Sequence, residues 1–380
     1  MSEARIDSLS NESNTGGPTI SGITTFSGTN YFVPPVGSSG ERPHNPQKGS
    51  LRFNTDSKKL EYYRGEGIGW VELEASHGQV GGGTGSNTGT GARGFTAGHH
   101  VYGTTIEYIT ISSTGDSQDF GDLSEGRFSQ GNLVGTDSRM LFAGGYGYKN
   151  TIDFWTVQTL GNASDFGDLT TKRQKMSGGN DKIRGVWAGG TGPSHALENT
   201  IDYVAIQTTG NAVDFGDISA SKDTMACVSS STRGIWTFHL APTAVMEFAN
   251  IRSTGNTTDF GDGYQNTSMY GGGSSSTRGI FCGGYADNNT IQFITMATTG
   301  NTTNFGDLTQ GGYNFSNMSS PTRCVFGARK YYSGGFVNSN ILDYVQITTT
   351  GNAVDFGDMT YMGSQQLACA GSNAHGGLSG

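Results

Sequence analysis

Seven histidines, 32 carboxylates and four cysteines are the groups in this 380-residue chain that could do chemistry. Glycoside hydrolysis needs two carboxylates on facing elements. Most acids here recur at equivalent places in a repeat, and that symmetry argues against a unique pair; the Ser-x-Asp-x-Gly-x-Thr-Trp box of sialidases is absent. A copper oxidase needs histidine and tyrosine ligands. The histidines are His44, His77, His99, His100, His195, His239 and His375, and only His99 and His239 fall at equivalent places, after an apolar strand. Two imidazoles could then share one face, but surface histidines are far commoner than ligands. Cys227, Cys282, Cys324 and Cys369 form no Cys-x-x-Cys pair and sit among apolar or small residues. They read as buried, reduced thiols. No metal and no cofactor is expected, and the chain reads as a non-enzyme.

The elements that position these groups are repeats. Phe-Gly-Asp occurs six times, at Phe120, Phe166, Phe215, Phe260, Phe305 and Phe356, with spacings of 46, 49, 45, 45 and 51. Five residues before each Phe stands the Gly of a Gly-Asn or Gly-Asp turn. Twelve before it stands an aromatic in an apolar-polar-aromatic unit: Tyr108, Phe154, Tyr203, Phe248, Phe293 and Tyr344. A third element begins with Arg93, Arg139, Arg184, Arg233, Arg278 or Arg323 and runs through an apolar burst into small residues. The six Phe read as packing anchors between repeat units. The six following Asp either ring a metal or bond turn amides, and the turn role is expected.

Alternation in Ile-Asp-Tyr-Val-Ala-Ile reads as half-buried strand, and Thr-Gly-Asn supplies a positive-φ turn. No segment carries helical periodicity over a dozen residues. Four short strands per ~45 residues is the blade of a β-propeller. The layout resembles the kelch repeat, although kelch usually has Trp where these copies have the Phe of Phe-Gly-Asp. The expected fold is all-β: a six-bladed kelch-like propeller over 91–380. The strand around Gln366–Gly371 would complete the first blade, leaving no open sheet edge.

Residues 1–80 lack the repeat. Strands are expected at Leu51–Asn54 and Lys59–Tyr63, with Thr55–Lys58 as the turn and Trp70-Val71 closing a small meander. Such a meander is marginal alone and should need a partner. Residues 81–90, rich in Gly, Ser and Thr, read as a flexible linker. The stretch Gly40-Glu-Arg-Pro, Gly49-Ser-Leu-Arg-Phe-Asn-Thr-Asp56, Leu60-Glu-Tyr-Tyr63 and Gly69-Trp-Val71 resembles a short module of tailed-phage virion and tail-fibre proteins. Ile20-Ser-Gly-Ile-Thr-Thr-Phe-Ser-Gly28 and Tyr31-Phe-Val-Pro-Pro35 look like marine cyanophage structural proteins, and the repeats are similar to repeats in those proteins.

The resemblance implies a virion protein, assembled in the host bacterial cytoplasm. Residues 1–80 would bind other virion proteins, in a homo-oligomer, and the propeller would bind a host surface glycan or receptor. Alternatives are a capsid decoration, collar or tail-assembly protein without receptor binding, and a carbohydrate-active enzyme. Almost all variation in repeat length falls between the Arg-Gly strand and the Ile-Asp-Tyr strand. Copy three inserts residues around Thr191–Glu198, including His195. Copy six inserts residues around Lys330, Tyr331, Tyr332 and Phe336. Variable connections on a rigid scaffold are where recognition usually sits, so these residues are the candidate contacts. With a net charge of -9 and no basic cluster, nucleic acid is not an expected partner. No run of 18 apolar residues is present, so membrane insertion is not expected either. Met1–Gly17 has no apolar core of a secretory signal.

Overall fold

The computed structural model describes residues 34–73, 92–98, 103–128, 133–238, 245–264, 269, 271–284, 288–313, 315–327, 329–333, 335–360 and 369–378, apart from the side chains of 224, 225, 316 and 336. The linker at 81–90 and His77, His99, His100 and His239 lie outside these residues. The described residues are all-β, with three short 3-10 turns and no α-helix. The chain divides into two compact units, 1–75 and 76–380.

In the first unit the strands Val36–Gly37, Leu51–Asn54, Lys59–Tyr63 and Trp70–Glu72 form one sheet in that order. The first pair is parallel and the others antiparallel. The polarity of this sheet is inverted. Arg52, Asn54 and Glu61 share one face and are buried. Residues 38–42 lie over them: Arg42 donates to both Glu61 carboxylate oxygens at 3.2 and 2.6 Å, and Arg52 Nη2 donates to the Ser38 carbonyl at 3.0 Å. The hydrogen bond from Arg42 holds the Glu61 carboxyl below its usual range. Strand alternation then puts Val36, Leu51, Phe53, Leu60, Tyr62 and Val71 on the opposite face. That apolar face is open: Val36 is 58% and Leu51 40% exposed.

In the second unit six four-stranded antiparallel sheets follow. The third is representative: Ser177–Asn180, Arg184–Ala188, Thr200–Ala205 and Val213–Asp217 lie in chain order, each paired to the next. The first sheet is assembled from both ends of the unit, since Cys369–Ser372 pairs with Arg93–Ala97, ahead of Thr105–Thr110 and Gln118–Asp122. The first strands are rich in Gly, Ser and Ala because they crowd one another. A Cβ on Gly273 would sit 3.2 Å from the Ser319 Cβ, and one on Gly179 2.5 Å from the Cys227 sulfur. All four cysteines are free and buried.

Three contacts repeat between consecutive sheets, and each also joins the sixth sheet to the first. The Phe of each Phe-Gly-Asp is buried among apolar residues of its own sheet and the next: Phe166 with Val134, Leu141, Trp187 and Ile206, Phe356 with Leu342, Met318, Ile109 and Ile111. Each Phe meets the aromatic twelve residues earlier edge-on, with centroids 5.8–6.0 Å apart. The Arg that opens each second strand lies over that same aromatic, 4.6–4.9 Å from its centroid. Its Nη1 donates to carbonyls at the end of the next sheet's third strand, at 2.8–3.4 Å; Arg184 reaches Ile251 and Arg323 reaches Ile111.

The third contact is backbone to backbone. The outer strand of each sheet accepts, at its Phe carbonyl, the N–H of the next repeat's turn glycine at 2.7–3.0 Å. The turn's Asn, or Asp116 in the first repeat, accepts the N–H of the Phe-Gly-Asp aspartate at 3.0–3.1 Å. The glycine between Phe and Asp makes this approach possible. It has φ between +140° and +156°, and a Cβ on Gly216 would lie 2.5 Å from the Gly255 carbonyl oxygen. Gly255 has a similar φ of +154°, yet a Cβ there meets nothing within 4 Å. Gly216→Ala should therefore cost about 2 kcal/mol or more, clearly more than Gly255→Ala, in urea unfolding of the two variants side by side.

Candidate binding site

In an antiparallel meander the connections alternate between two ends. The joins from second to third strand, and from fourth strand to the next sheet, share one end. The candidate contacts all lie on those joins. The copy-six insertion is a hairpin, Arg329–Tyr332 paired with Phe336–Ser339, where the sequence reading expected a loop. Lys330 exchanges backbone hydrogen bonds with Tyr313 at 2.7 and 3.0 Å, which fastens the hairpin to the preceding connection. Lys330 and Tyr331 are half-buried and Tyr332 is 59% exposed. The backbone of Phe336 pairs with Tyr332, and its side chain lies outside the described residues.

His195 is exposed and sits in a tight turn, Pro193–His195. The structure brings it against a residue the sequence reading passed over. The Tyr148 hydroxyl is 3.0 Å from His195 Nδ1, and the rings meet edge-on with centroids 6.0 Å apart. Tyr148 belongs to the turn Gly144–Lys149 of the second sheet, closed by Lys149 N–H donating to the Gly145 carbonyl at 3.2 Å. Tyr146, in the same turn, is 48% exposed and lies flat on Phe128, with centroids 4.6 Å apart and planes at 15°. The signal was present in Gly-Gly-Tyr-Gly-Tyr: glycines on both sides free two tyrosines from the strand that precedes them.

Four acids of the apolar-polar-aromatic units are committed to buried ion pairs. The polar residue of each apolar-polar-aromatic unit is buried, although simple alternation would leave it on a solvent face. Asp153 pairs with Arg127 at 3.1 Å, Asp202 with Arg173 at 2.9 Å, Glu247 with Lys222 at 2.9 Å and Asp343 with Arg329 at 2.7 Å. In the first three pairs the cation comes seven residues after the preceding sheet's Phe-Gly-Asp phenylalanine. The fifth copy has Gly312 at that place, and Arg329 of the inserted hairpin supplies the charge instead. After Phe260 the place holds Thr267, and the acid has become Gln292, bonded by the Tyr264 N–H and the Thr302 hydroxyl. Burial works against the Glu247 carboxylate, but Ser219, Thr257 and Lys222 outweigh it and hold its pKa below the usual range. The aspartates of Phe-Gly-Asp stand on the outermost strands of six different sheets. Among the described residues no three His, Cys, Asp or Glu side chains group as a metal site requires.

The first strands of the sheets face a common cavity of about 30 Å³, room for about one water. One end is filled by residues 373–378, a feature the sequence reading missed. His375 is packed there. The Gly377 N–H donates to its Nδ1 at 3.1 Å, so Nε2 carries the proton and donates to the Gly135 carbonyl at 3.1 Å. Burial lowers its pKa to about 4.

No family model matches the chain. No curated protein matches it either.

Two titrations follow. His375 is neutral when folded and protonates near 6.5 when unfolded. Its contribution is complete above pH 6.5 and is lost as pH falls toward about 4. Urea midpoints should decline over that window, and less steeply in His375→Gln. Gln292→Glu places a carboxylate where no cation waits among the described residues, so its folded pKa rises. The variant should match the parent near pH 4 and lose about 2 kcal/mol by pH 7, read from the same titration.

Proposed function

We propose that this chain is a tailed-phage virion protein whose repeats form a six-bladed, kelch-like β-propeller that binds a host surface glycan or receptor. The ring is closed by Cys369–Ser372 as the inner strand of the first blade. The observation that carries the binding role is the gathering of the length-variable connections, with their exposed aromatics, at one end of a rigidly bonded scaffold. Binding is favoured over catalysis because four acids of the apolar-polar-aromatic units are bound to buried cations.

Residues 1–80 are the attachment module in this reading. Its support is the open apolar face of the sheet formed by Val36–Gly37, Leu51–Asn54, Lys59–Tyr63 and Trp70–Glu72, which water does not favour and a protein neighbour would cover. The same face supports a second reading: a capsid, collar or tail-assembly component whose role ends with packing on other virion proteins. Immunogold microscopy of intact virions, with antibody to residues 91–380, separates the two. Gold at the tail tip or fibres is the expected outcome; gold over the capsid or neck replaces receptor binding with the structural role. Leu51→Lys with Leu60→Lys should leave the thermal transition of the repeat unit, followed in the full chain, unchanged. It should also reduce incorporation into particles at least tenfold, measured by immunoblot of purified virions.

A further inference from the structure

The geometry points to a carbohydrate subsite at the join of the second and third repeat sheets, built on Tyr146, Tyr148 and His195 and taking a pyranose ring. This inference rests on the glycan reading above and gives it a place. Three observations converge there. The first is a prepared aromatic surface. Tyr146 lies parallel on the buried Phe128, and its N–H donates to the Phe128 carbonyl at 2.7 Å, so one ring face is backed and the other is left to solvent. A flat, immobilised ring of this kind suits the C–H face of a sugar and costs little side-chain entropy on binding.

The second is a polar group set beside it. Tyr148 engages His195 through Nδ1, and among the described residues Nε2 has no partner. A neutral imidazole nitrogen can donate to or accept from a hydroxyl, which matches sugar hydroxyls of either sense. The ion pairs Lys149–Glu125 at 2.7 Å and Lys175–Asp223 at 3.5 Å border the turn and place further donors and acceptors around it.

The third is strain gathered in this patch. Five non-glycine residues among those described have positive φ, and four of them are Tyr148, Lys175, Ser194 and His195. Left-handed backbone is costly for such residues and persists where the surroundings impose it, commonly at ligand sites. The surroundings do so here: Gly145 N–H donates to the Arg173 carbonyl, Gln174 and Thr191 exchange backbone bonds, and Thr191 bonds Asp223. Among the described residues of these connections the large apolar side chains that are exposed are Tyr146 and Leu197, less than the roughly 800 Å² on each side that a stable protein partner needs.

The test uses the full chain on a printed array of bacterial surface polysaccharides and oligosaccharides, with the best-bound glycan then titrated in solution. Tyr146→Ala and His195→Ala should each weaken binding at least tenfold, and Tyr146→Phe should retain it. Leu160→Ala, in an exposed turn at the opposite end, should bind as the parent does, and thermal melts check that every variant is folded. Glycan binding that survives Tyr146→Ala and His195→Ala but is lost in Tyr332→Ala overturns this subsite and leaves the glycan reading standing. Absence of any glycan binding by the parent chain overturns that reading and the subsite with it.

Discussion

The approach of one repeat's outer strand to the next repeat's turn is the contact on which the repeat unit depends. It needs a backbone with no side chain at the glycine of Phe-Gly-Asp, since a Cβ there would occupy the place of the neighbouring turn's carbonyl. Once that approach is made, the outer strand's carbonyls and amides are satisfied by the neighbour and no longer present an open edge. The adjacent Phe is then driven into the space between sheets, and the Arg can span from its own aromatic to the next sheet's carbonyls. These contacts reinforce one another because one short peptide delivers the glycine, the Phe and the amide together.

Charge is matched by an acid–cation pair inside four of the six sheet junctions. Where a cation stands seven residues after the phenylalanine, the facing residue is an acid; in the fourth-to-fifth junction both are neutral. A buried ion without its partner is far more costly than a buried amide; in the sixth-to-first junction, where the place after Phe356 holds Gly363, the buried Glu107 accepts from the Ser117 hydroxyl at 2.8 Å instead. The fifth-to-sixth junction makes the match another way: where the local chain offers only Gly312, an arginine arrives from an inserted hairpin. That hairpin thus has an internal duty as well as an exposed face, and Arg329 ties the orientation of Tyr331 and Tyr332 to the core.

Much of the fold was legible in the sequence because it is repetitive. The strands Leu51–Asn54 and Lys59–Tyr63 are read correctly from alternation and turn chemistry, and the recurring Gly, Phe and aromatic sit where their spacing implies. Pattern reading fails where a polar residue is buried with a partner distant in sequence. Asp202 gives no local hint of Arg173, and the inverted sheet hides Glu61 beneath Arg42, so alternation alone assigns the wrong face to water. The candidate site was half legible. The insertion containing His195 stands out by length, but Tyr146 and Tyr148 lie in a copy of ordinary length, and only their glycine neighbours mark them. The tail at 373–378 carries no periodicity, so nothing in its composition announces that it fills a cavity.

The pairing of Cys369–Ser372 with Arg93–Ala97 sets an order on the birth of this protein. Translation delivers the two partners at opposite limits of the repeat unit, so the first sheet lacks its inner strand until nearly all the others have been synthesised. Contacts of such sequence separation form late and slowly. During that interval Arg93–Ala97 carries an unpaired edge that could recruit the same strand from a neighbouring nascent chain. On a polysome making many copies, the risk is exchange of last strands between molecules, and dilution or slower initiation would relieve it without any change to the folded protein.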